Sequence, residues 1–374
     1  MAQCKISFIW HMNVDHMTIG KDAYAISSRI AKLGYKTYLI INKFNLNKNY
    51  YKNVKIIEIN VSGSGRIRAI KWGIKAYKAL RKIKPDIVMY LNPYLGSIIS
   101  ALLYKIINRN IFLYMKMDYN GERPRHPLKA FLTAIRFYIT FFIFDLVSIE
   151  TNCARTKLKE WLKLPTFLFN KLIVIENGYN EEVFDINSIN NNRQKIILTV
   201  ARINKMKGID LLLRAVNKLF NKYKDWKLII IGPIEDHKYF TILNKYISIN
   251  NLNVEFVGYL NQENLSKYYK KASIFVLPSR SESFGIVRFE AAANGLPVVT
   301  TDTPCKEDLE KFGFVVVPVD DLEELYNALE KLIADKNTRV RIVQLQLSRI
   351  SNWTDIAVKI INNIIIRFKN KTCN

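Results

Sequence analysis

Cysteine is scarce. The four residues in 374, Cys4, Cys153, Cys305 and Cys373, are scattered, with no pair at a metal-ligand or redox spacing. This excludes a disulfide-stapled scaffold and fits a reducing compartment. There are only four histidines, no Asp-x-Asp pair and no His/Cys cluster, so no stretch reads as a dedicated metal site and no metal cofactor is expected. No apolar run approaches the ~20 residues that a membrane span needs. The opening Lys5-Ile-Ser-Phe-Ile-Trp10 is too short for a signal-peptide core and lacks a small-residue cleavage site. The expected location is the cytoplasm, including a peripheral seat on the inner face of the membrane.

Acidic charge is also in short supply. Lys and Arg number 57 against 32 Asp and Glu, a net charge of +25. The deficit is uneven, since residues 1–180 carry 29 − 10 = +19 and residues 181–374 carry 28 − 22 = +6. A basic first half beside a near-balanced second half points to an anionic surface met by the first half. Nucleic acid is not expected, because no recognisable binding module accompanies the charge.

A hydrophobic fraction of 49% with 24% charged residues describes a folded globular protein. The length is comfortable for two domains. Residues 273–302 organise the rest. Ile274 to Leu277 is a short apolar run, as in a strand buried on both faces. Ser279 to Gly285 is a polar loop, and Glu290 falls in an Ala-rich helix ended by Gly295 and Pro297. Pro297 to Thr301 makes the next strand. In such a unit, ligands bind at the carboxyl end of the strand and the helix N-terminus.

Glu282 and Glu290 stand eight positions apart within this string. With Pro278-Ser279, Phe284-Gly285, Glu290-Ala291 and Gly295-Leu-Pro-Val-Val299, they resemble the E-x7-E signature of family 4 retaining glycosyltransferases. The resemblance implies that Glu290 holds the ribose hydroxyls of a nucleotide sugar and that Glu282 faces the donor sugar as a catalytic residue. One carboxylate can accept both hydroxyls of a cis-diol. Gly285 lacks a Cβ, so the backbone N–H groups of Gly285, Ile286 and Val287 can approach the diphosphate. Ala201-Arg202-Ile-Asn-Lys-Met-Lys207-Gly208, between a strand and a helix, is similar to the stretch whose arginine and lysine grip that diphosphate. Fixed cations can neutralise a departing diphosphate without a metal.

The first half alternates strand and helix from Cys4 onward, with Trp10 ending the first strand and His11 to Thr18 read as a loop. Gly20 stands where the family places glycines near the donor phosphates, without the usual second glycine and following glutamate. Many members carry a histidine after the fifth strand, facing the sugar; this chain offers Asp118, a departure that matters because a carboxylate cannot donate as imidazole can. Arg123-Pro-Arg-His-Pro-Leu-Lys129 followed by the aromatic stretch Ala130 to Phe144 has the make-up of an interfacial helix. Asn177-Gly178 suits a tight turn with positive φ.

The expectation is therefore an α/β chain of GT-B architecture, two doubly wound Rossmann-like domains facing across a cleft. Residues 1–185 form the acceptor domain, 186–194 the linker, 195–349 the nucleotide-sugar domain and 350–374 a helix packing back toward the first domain. The implied activity is retaining, metal-independent transfer of a sugar from a nucleotide-sugar donor to a glycan or lipid-linked acceptor. Two rivals remain: a non-catalytic partner subunit with the same architecture, and a nucleotide-sugar epimerase or hydrolase.

Overall fold

The computed structural model describes residues 4–14, 22–44, 53–184, 186 and 193–372. They divide into two compact units, Met1–Asn177 with Trp353–Asn374, and Gly178–Asn352. Each is a parallel sheet flanked by helices.

The first unit carries β1 (Lys5–Val14), β2 (Lys36–Phe44), β3 (Val54–Glu58), β4 (Ile87–Leu91), β5 (Phe112–Met117), β6 (Leu146–Ile149) and β7 (Leu172–Val174), in the order β3-β2-β1-β4-β5-β6-β7. All neighbours run parallel. β4, β5 and β6 are buried along their whole length, which is why they read as near-continuous apolar runs. β1 extends past Trp10 to Val14, with a register shift against β2 between Trp10 and Asn13, so His11 lies on a strand rather than in the expected loop. The helix Trp353–Thr372 buries Trp353, Ile356, Ala357, Ile360, Ile361 and Ile364. That 3–4 spacing makes one face, and the helix packs against the helix Asp22–Lys32 of this unit.

The second unit carries β8 (Ile196–Val200), β9 (Lys227–Ile231), β10 (Val254–Gly258), β11 (Ile274–Leu277), β12 (Val298–Thr301) and β13 (Val315–Val317), ordered β10-β9-β8-β11-β12-β13 and parallel throughout. Its strands feed two cores by simple alternation. Ile197, Leu228, Ile230, Ile274 and Val276 enter one, while Leu198, Ile229, Ile231, Phe275 and Leu277 enter the other.

In both sheets the winding reverses beside the first strand, at β1/β4 and at β8/β11. Such switch points leave a crevice at the carboxyl ends, because the two outgoing loops diverge to opposite faces. The expected tight turn at Asn177-Gly178 takes another form. Neither residue has positive φ, and Asn177 is buried, donating its amide to Glu150 Oε1 at the end of β6.

Candidate active site

In the second unit the loops leaving β8 and β11 meet at the switch point. After β8 the chain makes a single 3-10 turn, Lys205–Lys207, and Gly208 opens the helix Ile209–Lys222 at φ 63°. A Cβ on Gly208 would lie 2.0 Å from the Pro278 carbonyl oxygen, so only glycine permits this approach of the two loops. After β11, Gly285 at φ 70° opens the helix Ile286–Ala293, whose first N–H groups belong to Ile286 and Val287.

The side chains on these loops form one charged cluster. Lys207 Nζ lies 2.5 Å from Glu282 Oε1, and both side chains are nearly buried, 13% and 11% exposed. Ser279 Oγ donates to the same carboxylate oxygen at 2.9 Å. Arg202 pairs with Glu235 at 2.6 Å, and Asn204 donates to the other Glu235 oxygen. The Asn204 amide and the Arg202 and Lys207 charges hold the Glu235 carboxyl below its usual range. Arg280 staples the loops together, donating to both oxygens of Asp210 at 2.9 and 2.8 Å, to Asp320 at 2.7 Å and to the Lys205 carbonyl at 2.6 Å.

Behind the Gly285 turn lies a buried cation. Arg288 is fully enclosed and donates both Nη groups to the Thr303 carbonyl at 3.0 Å. Burial lowers its pKa to about 10, against the pull of Glu282, so it stays charged at neutral pH. Two residues on, Glu290 is 5% exposed. It accepts from the Tyr269 hydroxyl at 3.1 Å and from Gln262 Nε2 at 3.4 Å. Burial and the neighbouring carboxylate raise the Tyr269 hydroxyl well above its ordinary range, so it remains a donor.

The structure thus brings Arg202, Lys207, Glu282, Gly285, Ile286, Val287 and Glu290 into the second unit around one switch point. Asp118 belongs to the first unit, where it follows β5 and gives its backbone N–H to Asn92 Oδ1 at 2.8 Å. It lines a pocket of about 230 Å³ with Tyr94, Tyr119 and Arg136. Gly20 lies outside the described residues. Sequence reading missed Glu235, Arg280, Arg288, Gln262 and Tyr269. The two arginines stand within residues 273–302, and for Arg288 an Arg in an otherwise apolar helix was the available signal.

The described residues thus form two parallel α/β units, one with cations and carboxylates gathered at its switch point. Residues 180–345 match the family described as "Glycosyl transferases group 1". An uncharacterized glycosyltransferase of Methanocaldococcus jannaschii is 32% identical over 211 residues, 52% of this chain and 53% of that protein. The match thus spans about half of that relative's length. The capsular polysaccharide biosynthesis glycosyltransferase CapM of Staphylococcus aureus is 29% identical over 295 residues, 75% of each chain. Among solved structures, Anabaena HepE in complex with UDP and glucose aligns at TM-score 0.73 and 15% identity, over 96% of this chain and 99% of that one. That likeness shows the fold, GT-B.

Proposed function

We infer that the protein is a retaining glycosyltransferase that moves a sugar from a nucleoside-diphosphate sugar to a glycan or lipid-linked acceptor, with fixed cations rather than a metal at the departing diphosphate. The observation that carries this reading is the Lys207–Glu282 pair at the β8/β11 switch point, with Glu290 buried on the helix that Gly285 opens. The diphosphate takes the N–H groups at the start of that helix, and Lys207 and Arg202 neutralise it. Arg288 adds a buried positive potential behind it. Glu290 accepts the ribose hydroxyls, and Glu282 faces the sugar near its reacting carbon. As the bond from the anomeric carbon to the phosphate oxygen breaks, the acceptor oxygen bonds from the same face and its proton passes to the leaving phosphate. Asp118, in the first unit, orients the acceptor hydroxyl. Capsule synthesis in the Staphylococcus relative supports a surface polysaccharide as the product. The UDP complex of the Anabaena protein makes a UDP-sugar the first donor to try.

The first unit also supports a seat on anionic membrane. Its helix Pro127–Ile143 exposes Leu128, Phe131, Leu132, Ile135, Ile139 and Phe142 along one face, next to Arg123, Arg125 and Lys129. The reaction is tested by incubating the protein with UDP-α-sugars, an acceptor and a chelator, and reading the product anomer by NMR. An α-linked product is expected. A β-linked product, or turnover that the chelator abolishes, overturns the reading.

A further inference from the structure

The first unit has a second concave surface, at its own switch point. β1 and β4 are neighbours there, and the loop after β4 brings Tyr94 onto His11 of β1, with ring centroids 3.8 Å apart. Against them opens a cavity of about 380 Å³ lined by His11, Arg66, Arg68, Trp72 and Tyr94. Its base is the crossing of the helices Gly65–Ile83 and Leu95–Ile107, which is tight enough that a Cβ on Gly96 would lie 2.8 Å from the Ala69 carbonyl oxygen.

The electrostatics of this cavity run one way. A helix N-terminus ordinarily attracts Asp or Glu, yet the first turn of Gly65–Ile83 has no acidic residue and its Ser64 makes no side-chain cap. It carries Arg66 and Arg68 instead. Among the described residues no carboxylate pairs with either arginine. With the Asn42 amide turned to satisfy its neighbours, Arg68 Nη2 is held by the Asn42 oxygen at 3.1 Å. His11 brings no compensating negative charge; burial, with Arg68 beside it, lowers its pKa to about 4 and keeps it neutral. Two polar atoms of lining residues, His11 Nδ1 and the indole N–H of Trp72, are buried without a partner among the described residues. Trp72 is only 3% exposed. Cations and helix N–H groups beside an aromatic wall suit an anion joined to a ring.

We propose that this cavity binds the phosphate end of a phosphorylated sugar or cyclitol, with the phosphate between Arg66, Arg68 and the N-terminus of the helix Gly65–Ile83 and the ring against Tyr94. Tyr94 also lines the pocket that holds Asp118, so a hydroxyl of the same ring can reach past Tyr94 to that carboxylate. The ligand's role as acceptor rests on the glycosyltransferase reading; its binding does not.

The test is calorimetry on the full chain with glucose 6-phosphate, myo-inositol phosphate, unphosphorylated glucose and inorganic phosphate, on wild type and on Arg66→Ala, Arg68→Ala and the double variant. A vesicle arm uses phosphatidylinositol in phosphatidylcholine. A phosphorylated ring should bind at least about tenfold more tightly than glucose or inorganic phosphate, and each arginine removed should cost about tenfold. Vesicle binding lost in the double variant would assign the same chemistry to a lipid headgroup. Equal affinity for glucose and its phosphate, binding that survives the double substitution, or no binding of any phosphorylated probe would overturn the proposal. UDP binding to the same samples is the control. Its loss speaks against the donor site in the second unit and leaves this cavity's result standing.

Discussion

Arg202 and Lys207 are both held by carboxylates of their own unit, and the two pairs are not alike. Arg202 and Glu235 are roughly half exposed, at 58% and 46%, and solvent screening leaves such a pair weak. Lys207 and Glu282 are enclosed, so their attraction is less screened. On the proposed reading, a diphosphate would free Arg202 easily and leave Glu235 as a nearby like charge. Glu235→Gln should tighten UDP binding about three- to tenfold in calorimetry, since the amide keeps the shape and removes the competing anion. Weaker binding would mean that Glu235 supports Arg202 rather than competing for it. Arg202 and Lys207 were legible in the sequence because both stand in one short string after a strand. Glu235 was not, because it lies 33 residues beyond Arg202 and meets it only through the pairing of β8 with β9. Arg280 and Arg288 were visible but unassigned, because their partners Asp210 and Thr303 are fixed by the fold rather than by spacing.

The element that sets the site is the contact between the loops leaving β8 and β11, and Gly208 is its tightest point. Gly208→Ala puts a methyl group against the Pro278 carbonyl in addition to the cost of φ 63°. Gly258, at φ 84°, has nothing within 4 Å of its virtual Cβ and faces the backbone cost alone. Gly208→Ala should lose about 2–4 kcal/mol and weaken UDP binding, and Gly258→Ala about 1 kcal/mol with binding intact. Equal losses in denaturant unfolding would contradict the loop contact. Most elements could be read from the chain: fully buried β4 and β11 are uninterrupted apolar runs, and Gly295 with Pro297 ended the Glu290 helix as expected. The extension of β1 to Val14 could not. His11 and Asn13 are not strand formers by preference, and pairing with β2 across a register shift overrides that.

On the scale of the whole molecule, charge and apolar exposure coincide in the first unit. The +19 of residues 1–180 accompanies the bare face of Pro127–Ile143, where Phe131 and Phe142 are 62% and 61% exposed. Phe131→Asp with Phe142→Asp should abolish sedimentation with anionic vesicles while leaving the melting temperature within a few degrees, because neither side chain is in the core. Retained sedimentation would place membrane contact elsewhere or nowhere. The charge asymmetry was legible as a count, and the stripe as a composition. Which aromatics face outward was not, because Phe137 and Phe141 of the same helix are buried. Composition marked residues 186–194 as the linker, of which 187–192 lie outside the described residues; the compact units part at Asn177 and Gly178. Phe184 packs edge-on against Tyr269 at 5.7 Å, and the Tyr179 backbone bonds to Ser351, contacts that no local polarity signals.

On the proposed function, the second unit grips a nucleoside diphosphate through Glu290 and the Arg202/Lys207 pair. The most direct test is a thermal-shift series with nucleoside diphosphates in the presence of chelator, on wild type, Glu290→Ala and Glu290→Gln. A ligand that binds the folded state alone raises the midpoint by mass action. An upward shift is expected with one nucleotide base, lost in both variants while their unfolding without nucleotide stays cooperative. A wild-type protein that shifts with none of them, or variants that shift as the wild type does, would contradict it.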